Sequence, residues 1–409
     1  MRYKFISLLF FSFMMLGTAL AQQKILFDAT KAETAGNADW VIDADQHNLS
    51  FSSGYAVAGS GRESNPQRFP TPAQSTITAS TSETYWEGGL SAWGIDLVKK
   101  GFEVETLPYN GKITYGNSSN PQDLSNYAVF VVDEPNIRFT DTEKTAILQF
   151  VYHGGGLFMI SDHDRSDRNN DGIDSPSVWN DLMENNSVKA DPFGISFDLL
   201  KFDDKSDNFR NLPGNPILNG PMGKATELWY FAGTSMTLHP DDNSSVEGLV
   251  FRTGSSFGNK NVLFASATFG KGKVVALGDS SPPDDGTGDP GDRLYNGWTK
   301  DANGNHERLI MNASLWLAET FTATNPSKKK DKIEVSFLRK GDDCFFKASN
   351  LPAASGYQLS VFDLQGKEVA AFQDFKPQQT YQVFLPSRGI FVYRLEGDAI
   401  SLKTGKFYF

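Results

Sequence analysis

The β–α–β segment of residues 126–174 constrains the fold more than any other part of the chain. Residues 127–132 form a short, valine-rich apolar run, which is typical of a strand covered on both faces. A capping box of Thr140 and Glu143 predicts the start of a helix, and three consecutive glycines predict its end. A second apolar run follows at 157–160. The segment predicts two parallel strands joined by a helix.

A burst of polar residues, Ser161-Asp162-His163-Asp164, follows directly after this second strand. Because open parallel α/β sheets bind ligands outside the carboxyl ends of their strands, we expect any active site to include this point. His163, between two aspartates, suits the role of a general base or a metal ligand, and Asp162 that of its partner. The alternative is a surface histidine that caps the following turn.

The remaining periodicity extends this pattern over residues 22–320. We predict strands at 24–29, 102–107, 262–267 and 273–279, the last two joined as a hairpin, and amphipathic helices at 82–100 and 306–320. Residues 165–226 are rich in Asp, Asn, Gly and Pro and indicate an insertion with one short helix near 177–184. The prediction is a doubly wound α/β domain with a parallel sheet.

Two further strand ends carry candidate catalytic residues. Asp279 and Ser280 end the strand predicted at 273–279, and Asp28 ends the first strand, which should be central. Brought together at one edge with His163, they would form an acid–base or metal-binding group. Alternatively, these side chains cap a helix or line a loop.

Oxygen-bearing side chains alternate along Asp167, Asn169, Asp171 and Asp174, with a glycine after the third of them. This spacing matches the start of an EF-type calcium loop, although Val178 stands where the bidentate glutamate would be. We expect a structural calcium at the base of the insertion. An Asx-rich turn is the alternative.

The two ends of the chain have separate characters. Residues 1–21 have a basic start, an apolar core and a small-residue cleavage pattern, which predict a signal peptide and a secreted protein. No later apolar run is long enough to predict a transmembrane segment in the mature chain. Residues 321–332 are predicted as a linker, and the alternating patches of 333–409 predict an all-β sandwich.

Charge and cysteine content exclude some classes. The formal net charge of -11 argues against a nucleic-acid partner, since such partners need a basic surface. Cys344 is the only cysteine, so an internal disulfide framework is excluded.

The C-terminal region carries V-F-D-L-Q-G-K (361–367), L-P-S-R-G-I-F-V-Y-R-L (385–395) and the terminal L-K-T-G-K-F-Y-F (402–409). In these motifs it resembles the sorting domain of the bacterial type IX secretion route. The resemblance implies export across the outer membrane, with the type IX machinery as partner. An ordinary accessory β-sandwich is the alternative.

The main domain carries Q-F-V-Y-H-G-G-G-L-F-M-I-S-D-H (149–163) and F-G-K-G-K-V-V-A-L-G-D-S-S (269–281). It resembles the class I glutamine amidotransferase-like superfamily, particularly its ThuA-like branch, which lacks the nucleophile. The resemblance implies a flavodoxin-like sheet. Amidotransferases place a catalytic cysteine in the turn where this chain has Ser161-Asp162-His163, so Cys-dependent glutaminase chemistry is excluded.

These features predict a secreted hydrolase that acts on an extracellular carbohydrate or related polar substrate. Its chemistry would be His/Asp acid–base catalysis or metal-assisted hydrolysis with a divalent ion. The alternative from another class is a calcium-stabilised surface module that binds glycans without cleaving them. A metal-dependent phosphoesterase is a third reading, which the negative charge of the chain disfavours.

Overall fold

A computed structural model describes residues 23–35, 38–43, 74–86, 88–288, 295–301, 303–319, 334–340, 343–349, 357–363, 366–376, 379–385, 390–397 and 400–408. The chain divides into two compact units, residues 1–322 and 323–409, which are described separately. The predicted signal peptide (1–21) and linker (321–332) lie outside the described residues.

The first unit contains fifteen described strands and five described α-helices. The strands are β1 (Lys24–Asp28), β2 (Thr34–Ala35), β3 (Ala38–Asp39), β4 (Glu103–Leu107), β5 (Val129–Asp133), β6 (Gly156–Ile160), β7 (Ile195–Phe197), β8 (Phe202–Ser206), β9 (Asn219–Gly220), β10 (Gly223–Lys224), β11 (Leu228–Gly233), β12 (Met236–Leu238), β13 (Glu247–Phe251), β14 (Val262–Phe269) and β15 (Gly272–Leu277). The helices are α1 (Ser91–Lys99), α2 (Asp141–Tyr152), α3 (Ser175–Glu184), α4 (Gly297–Lys300) and α5 (Asn305–Ala318). In the part of the chain that is described, no helix is both long and apolar enough to cross a membrane.

The nine-stranded sheet has the order β4-β1-β5-β6-β15-β14-β12-β7, with β13 also paired to β14. Its first five strands are mutually parallel. Numbered by their position in the chain, these five read 2-1-3-4-5, the flavodoxin-like order, with the switch point between β1 and β5. The predicted flavodoxin-like α/β fold is confirmed.

The sheet is mixed, whereas the sequence predicted a parallel one apart from one hairpin. That predicted hairpin is formed, since the short turn at Gly270 reverses the chain and β14 pairs antiparallel with β15. β13 and β12 also pair antiparallel with β14, which the sequence did not predict. The region predicted as an irregular insertion contributes α3 and the edge strand β7. Short strands in this region had too little periodicity to be read from the sequence.

Two cores lie on opposite faces of the sheet. On β5, Val129 and Val131 pack into the core beneath α1 and α5, and Phe130 and Val132 into the core beneath α2 and α3. Because both faces of the strand are covered, its residues are apolar without alternation. Helices therefore cover both faces of the sheet, as the predicted doubly wound α/β domain requires.

The helix ends follow the chemistry of their residues. The Thr140 hydroxyl accepts the Glu143 backbone N–H, and the Glu143 carboxylate accepts the Thr140 N–H, so the capping box is formed. After α2, Gly154 has a φ of +123°, which favours glycine. The helix predicted at 82–100 is shorter than expected: α1 begins at Ser91, because Gly88 and Gly89 adopt positive φ just before it.

The second unit is built from antiparallel strands. They are β16 (Glu334–Lys340), β17 (Asp343–Ser349), β18 (Gln358–Phe362), β19 (Glu368–Phe372), β20 (Thr380–Val383), β21 (Ile390–Gly397) and β22 (Ile400–Tyr408). One sheet has the order β16-β17-β20 and the other β19-β18-β21-β22. Cys344 and Phe346 of the first sheet share a buried core with Leu359 and Phe391 of the second. This is the all-β sandwich that the sequence predicted.

Candidate functional site

A cavity of about 250 Å³ lies at the carboxyl edge of the parallel strands. It is lined by Trp40, Asp162, His163, Arg168, Lys201, Phe231, Ala232, Ser280, Ser281 and Tyr295. Three of the predicted catalytic residues, Asp162, His163 and Ser280, therefore meet in one cavity. They come from the turns that follow β6 and β15, which are neighbouring strands.

Glu134, which follows β5, connects the segments that line this cavity. One of its carboxyl oxygens accepts hydrogen bonds from the Trp40 indole and the Ser280 hydroxyl, each 2.8 Å long. The other accepts Arg168 Nε at 2.7 Å, and Arg168 Nη2 donates to Asp162 at 2.6 Å. Glu134 has a φ of +50°, a strained value for a side chain of its size, and such strain clusters at functional sites.

The buried carboxyl groups around the cavity have separated pKa values. Burial raises the pKa of Glu134 to about 8, although the Arg168 guanidinium acts in the opposite direction. Burial raises the pKa of Asp162 to about 6, again against Arg168. Near neutral pH, Glu134 is therefore mainly protonated and Asp162 mainly ionised. Neighbouring groups with separated pKa values are what acid–base catalysis requires.

His163 is held as a neutral imidazole. Its Nδ1 lies 2.6 Å from the Asp164 carbonyl oxygen, which can only accept, so Nδ1 carries the proton and Nε2 keeps its lone pair. Nε2 lies 3.6 Å from the Asp162 carboxylate. Burial lowers the pKa of His163, and the positive charges of Arg168 and Lys201 lower it further. A neutral imidazole in a cavity wall can accept a proton from a bound water or hydroxyl.

Asp279 is fully buried behind the cavity and does not line it. Its carboxyl group accepts the backbone N–H groups of Phe231 and Ser281, two residues that do line the cavity. Burial raises the pKa of Asp279 to about 8. The preceding Gly278 packs against the Thr234 carbonyl so closely that a Cβ there would clash. Asp279 therefore positions the cavity wall.

Asp133, the last residue of β5, lies in the same buried group. Neither of its carboxyl oxygens has a hydrogen-bond partner in the described part of the chain. Burial raises the pKa of Asp133 well above its ordinary value, and the nearby carboxyl groups of Glu134, Asp162 and Asp279 raise it further. An unpartnered buried carboxylate is costly, so the neutral acid is the stable form.

Asp28 lies at the carboxyl end of β1, as predicted, but does not line the cavity. Its carboxyl group accepts hydrogen bonds from the backbone N–H and hydroxyl of Thr30. Burial raises the pKa of Asp28 to about 6, and the pKa of the neighbouring Glu33 is raised well above its usual range by burial and by Asp28. Asp28 thus belongs to a separate pair of buried carboxyl groups.

The predicted calcium loop is a set of tight turns held by its own side chains. Asp167 accepts the backbone N–H groups of Asp171 and Gly172, and Asn169 donates to Asp171 at 3.0 Å. Asp174 is the N-cap of α3, where it accepts the Ser177 N–H. The carboxyl oxygens of Asp167 and Asp171 thus accept backbone N–H groups of the loop itself, and the calcium expectation stays a prediction.

Another group of potential metal ligands lies outside the cavity. In the described residues, Asp191, His239 and Asp242 place one ligand atom each within 4.8 Å of one another. His239 Nε2 also contacts the Ser196 hydroxyl at 2.9 Å. None of these residues lines the carboxyl-edge cavity.

No sequence pattern indicated Glu134 as a site residue, nor did any indicate Arg168, Trp40, Lys201 or Tyr295. Arg168 lies within the acidic burst that suggested calcium, and only folding of that loop brings it to Asp162. The sequence does show that Arg168 is a cation among several aspartates, with which it can pair. The others come from distant segments, whose approach no local pattern predicts.

Comparisons with known proteins return distant structural neighbours. No family model matches the chain, and no curated protein matches it. Among solved structures, the mmIFT52 N-terminal domain has 13% identity over 72% of this chain and 97% of that chain, with a TM-score of 0.40. Cytoplasmic protein STM3548 from Salmonella typhimurium has 15% identity over 57% of this chain and 88% of that one, with a TM-score of 0.38. A ThuA-like protein from Parabacteroides merdae has 13% identity over 56% and 83%, with a TM-score of 0.31.

The neighbours thus include a ThuA-like protein, which is the branch whose motifs this sequence resembles. All three TM-scores are below 0.5. The function therefore has to be argued from the residues of the site.

Proposed function

We propose that this chain is a secreted hydrolase that cleaves an extracellular carbohydrate or a related polar substrate in the carboxyl-edge cavity. The observation that supports this most strongly is the position of His163 in the cavity, where its Nε2 lies 3.6 Å from the Asp162 carboxylate and Arg168 joins that carboxylate to Glu134. The cavity also offers hydroxyl and cationic donors for a polar substrate and an aromatic wall for its apolar faces.

In the proposed reaction, His163 Nε2 accepts a proton from a water molecule. The water oxygen attacks the carbon of the scissile C–O bond, and that bond breaks toward the leaving oxygen. The Ser280 hydroxyl, which donates to Glu134, turns its O–H to the leaving oxygen and gives up that proton, and its oxygen then receives the proton of the neutral Glu134 carboxyl. Afterwards the proton on His163 returns to Glu134 through solvent. Arg168 donates to both Glu134 and Asp162 and so fixes the positions of the two carboxyl groups relative to each other.

Acid–base chemistry suits these residues better than a bound catalytic cation. Asp162, which would be a metal ligand beside His163, already pairs with the Arg168 guanidinium at 2.6 Å. A metal ion there would lie next to a fixed positive charge, which opposes its binding. Metal-assisted hydrolysis is therefore the less favoured form of the proposal.

Two accessory roles complete the proposal. The loop with Asp167, Asn169, Asp171 and Asp174 would hold a structural calcium ion at the base of the region that contributes Arg168. The second unit would act as the type IX sorting domain that directs export, as its motifs at 361–367, 385–395 and 402–409 suggest.

A second candidate function is a glycan-binding module without turnover. Exposed apolar side chains at the mouth of the cavity favour it, because binding alone would explain them. Binding of a glycan with no product, with and without added divalent metals, would select this alternative.

The proposal is tested by assaying the purified full chain on a panel of aryl glycosides, polysaccharides and acetyl esters. We expect turnover of at least one glycan or ester substrate. Asp162→Asn should lower it by about 100-fold or more, because the variant removes the carboxylate beside His163. Asp141→Asn serves as the matched control, because the Asp141 side chain is 97% exposed and does not line the cavity. Turnover that is undiminished in Asp162→Asn contradicts the proposal.

A further inference from the structure

Exposed apolar side chains concentrate at the mouth of the cavity. Tyr295 lines the cavity and is 46% exposed, and Leu199 and Leu200, just before the lining residue Lys201, are 58% and 41% exposed. The backbone of Leu200 accepts a hydrogen bond from the Asp164 N–H, which fixes this loop to the His163 turn. Large exposed apolar groups that gather at one place mark a binding surface.

Trp229 and Phe231 extend this surface, and together with Tyr295 they form an aromatic strip. Trp229 and Phe231 are alternate residues of β11 and are partly exposed on the same face of the strand. The ring centroids of Trp229 and Phe231 are 6.4 Å apart, and those of Phe231 and Tyr295 are 5.3 Å apart. Phe231 and Tyr295 line the cavity, so the strip leads from its wall outward.

Charged groups are interleaved with these rings. The Lys205 ammonium lies 3.8 Å from the centre of the Trp229 ring and 3.5 Å from the Glu227 carboxylate, and Lys201 stands at the mouth. A lipid would require a continuous apolar surface, whereas rings alternating with charges suit a ligand with both C–H faces and hydroxyl groups. A chain of sugar rings has this character.

The size of the cavity supports a ligand that extends outside it. At about 250 Å³, it lies below the usual range of roughly 300–1,000 Å³ for pockets that enclose a drug-sized ligand. A chain longer than one or two sugars therefore extends outside the cavity. The net charge of -11 disfavours a polyanionic chain.

We infer that the aromatic strip is a glycan-binding subsite for the part of a neutral polysaccharide chain that lies outside the cavity. This inference rests on the proposed function, because it requires a carbohydrate at the cavity. It adds a substrate class, a polymer of uncharged sugars, and it assigns residues that contact the chain away from the reacting bond.

The test is affinity electrophoresis of the full chain in native gels that contain xylan, mannan, laminarin or hydroxyethylcellulose. We expect at least one of these polysaccharides to retard the protein. Tyr295→Ala and Trp229→Ala should each raise the apparent dissociation constant roughly three- to tenfold, the range for losing one aromatic contact. Tyr152→Ala is the matched control, because Tyr152 is 47% exposed but lies at the end of α2, on the opposite edge of the sheet.

Three outcomes would overturn the inference. They are an absence of retardation in all four gels, retardation that Tyr295→Ala leaves unchanged, and retention only in a gel containing the polyanion alginate. Thermal melting checks each variant for folding, and if Trp229→Ala does not fold, Tyr295→Ala decides alone. Retardation without any turnover by the wild type would reject the proposed hydrolase while leaving the strip supported, so the two failures are distinguishable.

Discussion

At the amino edge of the sheet, Lys24 pairs with Glu105 and Lys273 with Glu319. At the carboxyl edge, the Arg168 guanidinium is instead shared between two buried carboxyl groups, with further carboxyl groups behind them. Both edges belong to the same parallel strands. The charges at the amino edge form pairs of opposite sign, whereas the carboxyl edge has more buried carboxyl groups than cations to pair with them.

Each edge of the sheet also has a cavity with a histidine in its wall, so the two cavities can be compared. His153 stacks on Tyr115, with ring centroids 5.8 Å apart, beside a cavity of about 190 Å³. None of the described side chains that line that cavity is a carboxylate. A histidine in a cavity wall therefore does not define a reactive site. The unbalanced carboxyl groups with raised pKa values distinguish the carboxyl edge.

Replacing Arg168 with methionine should produce the largest loss of stability. Arg168→Met leaves Glu134 and Asp162 buried without their cation, and we expect the free energy of unfolding to fall by about 3 kcal/mol. The estimate is at the lower end of the usual range because 22% of the Arg168 side chain is exposed. Urea unfolding would measure the change.

Arg210→Met is the matched control, since Arg210 pairs with Glu247 where both side chains are 36% exposed. Its loss should stay below about 1 kcal/mol. Equal losses in the two variants would mean that the carboxyl edge has no special electrostatic role.

Asp133→Asn should reduce the pH dependence of stability. Because the folded-state pKa of Asp133 is raised, its contribution is fully present below the unfolded-state pKa of about 4 and is lost as the pH rises toward the folded-state pKa. The wild type should lose about 1.4 kcal/mol per pH unit from this group, and the variant should not. Urea unfolding at about pH 5 and about pH 7 compares the two slopes, and identical slopes would show that Asp133 ionises freely.

Calcium should give the smallest of these effects. If the loop of residues 167–174 binds the ion, calcium at about ten times its dissociation constant stabilises the fold by about 1.4 kcal/mol. A chelator then reverses this stabilisation. Asp171→Asn should abolish the response in a thermal melt. A wild type that melts at the same temperature with calcium and with chelator has no such site.

Much of the fold could be read from local patterns. The capping box, the glycine stop and the valine-rich runs each encode structure within a few residues, so α2, β5 and β6 were predicted close to their final bounds. The strand ends then placed His163, Asp162 and Ser280 at one edge, because parallel strands share their direction. This part of the site follows from chain direction alone.

The rest of the site depends on contacts between distant segments. Trp40 reaches Glu134 across 94 positions of the chain, and Ser280 reaches it across 146. The role of Arg168 depends on how an acidic loop folds back, and the positive φ of Glu134 cannot be read from a glutamate. The hairpin of β14 and β15 was predicted from its local turn, but the antiparallel strands β7, β12 and β13 were missed, since their pairings are not local.

The two histidines provide the most direct test of the claim that the carboxyl edge is the reactive one. The measurement is kcat/KM of His163→Gln and of His153→Gln on the best substrate of the panel, with melting temperatures to confirm folding. We expect His163→Gln to lose about 100-fold or more and His153→Gln to stay within about twofold of the wild type. Equal losses in the two variants, or full activity in His163→Gln, would contradict the claim.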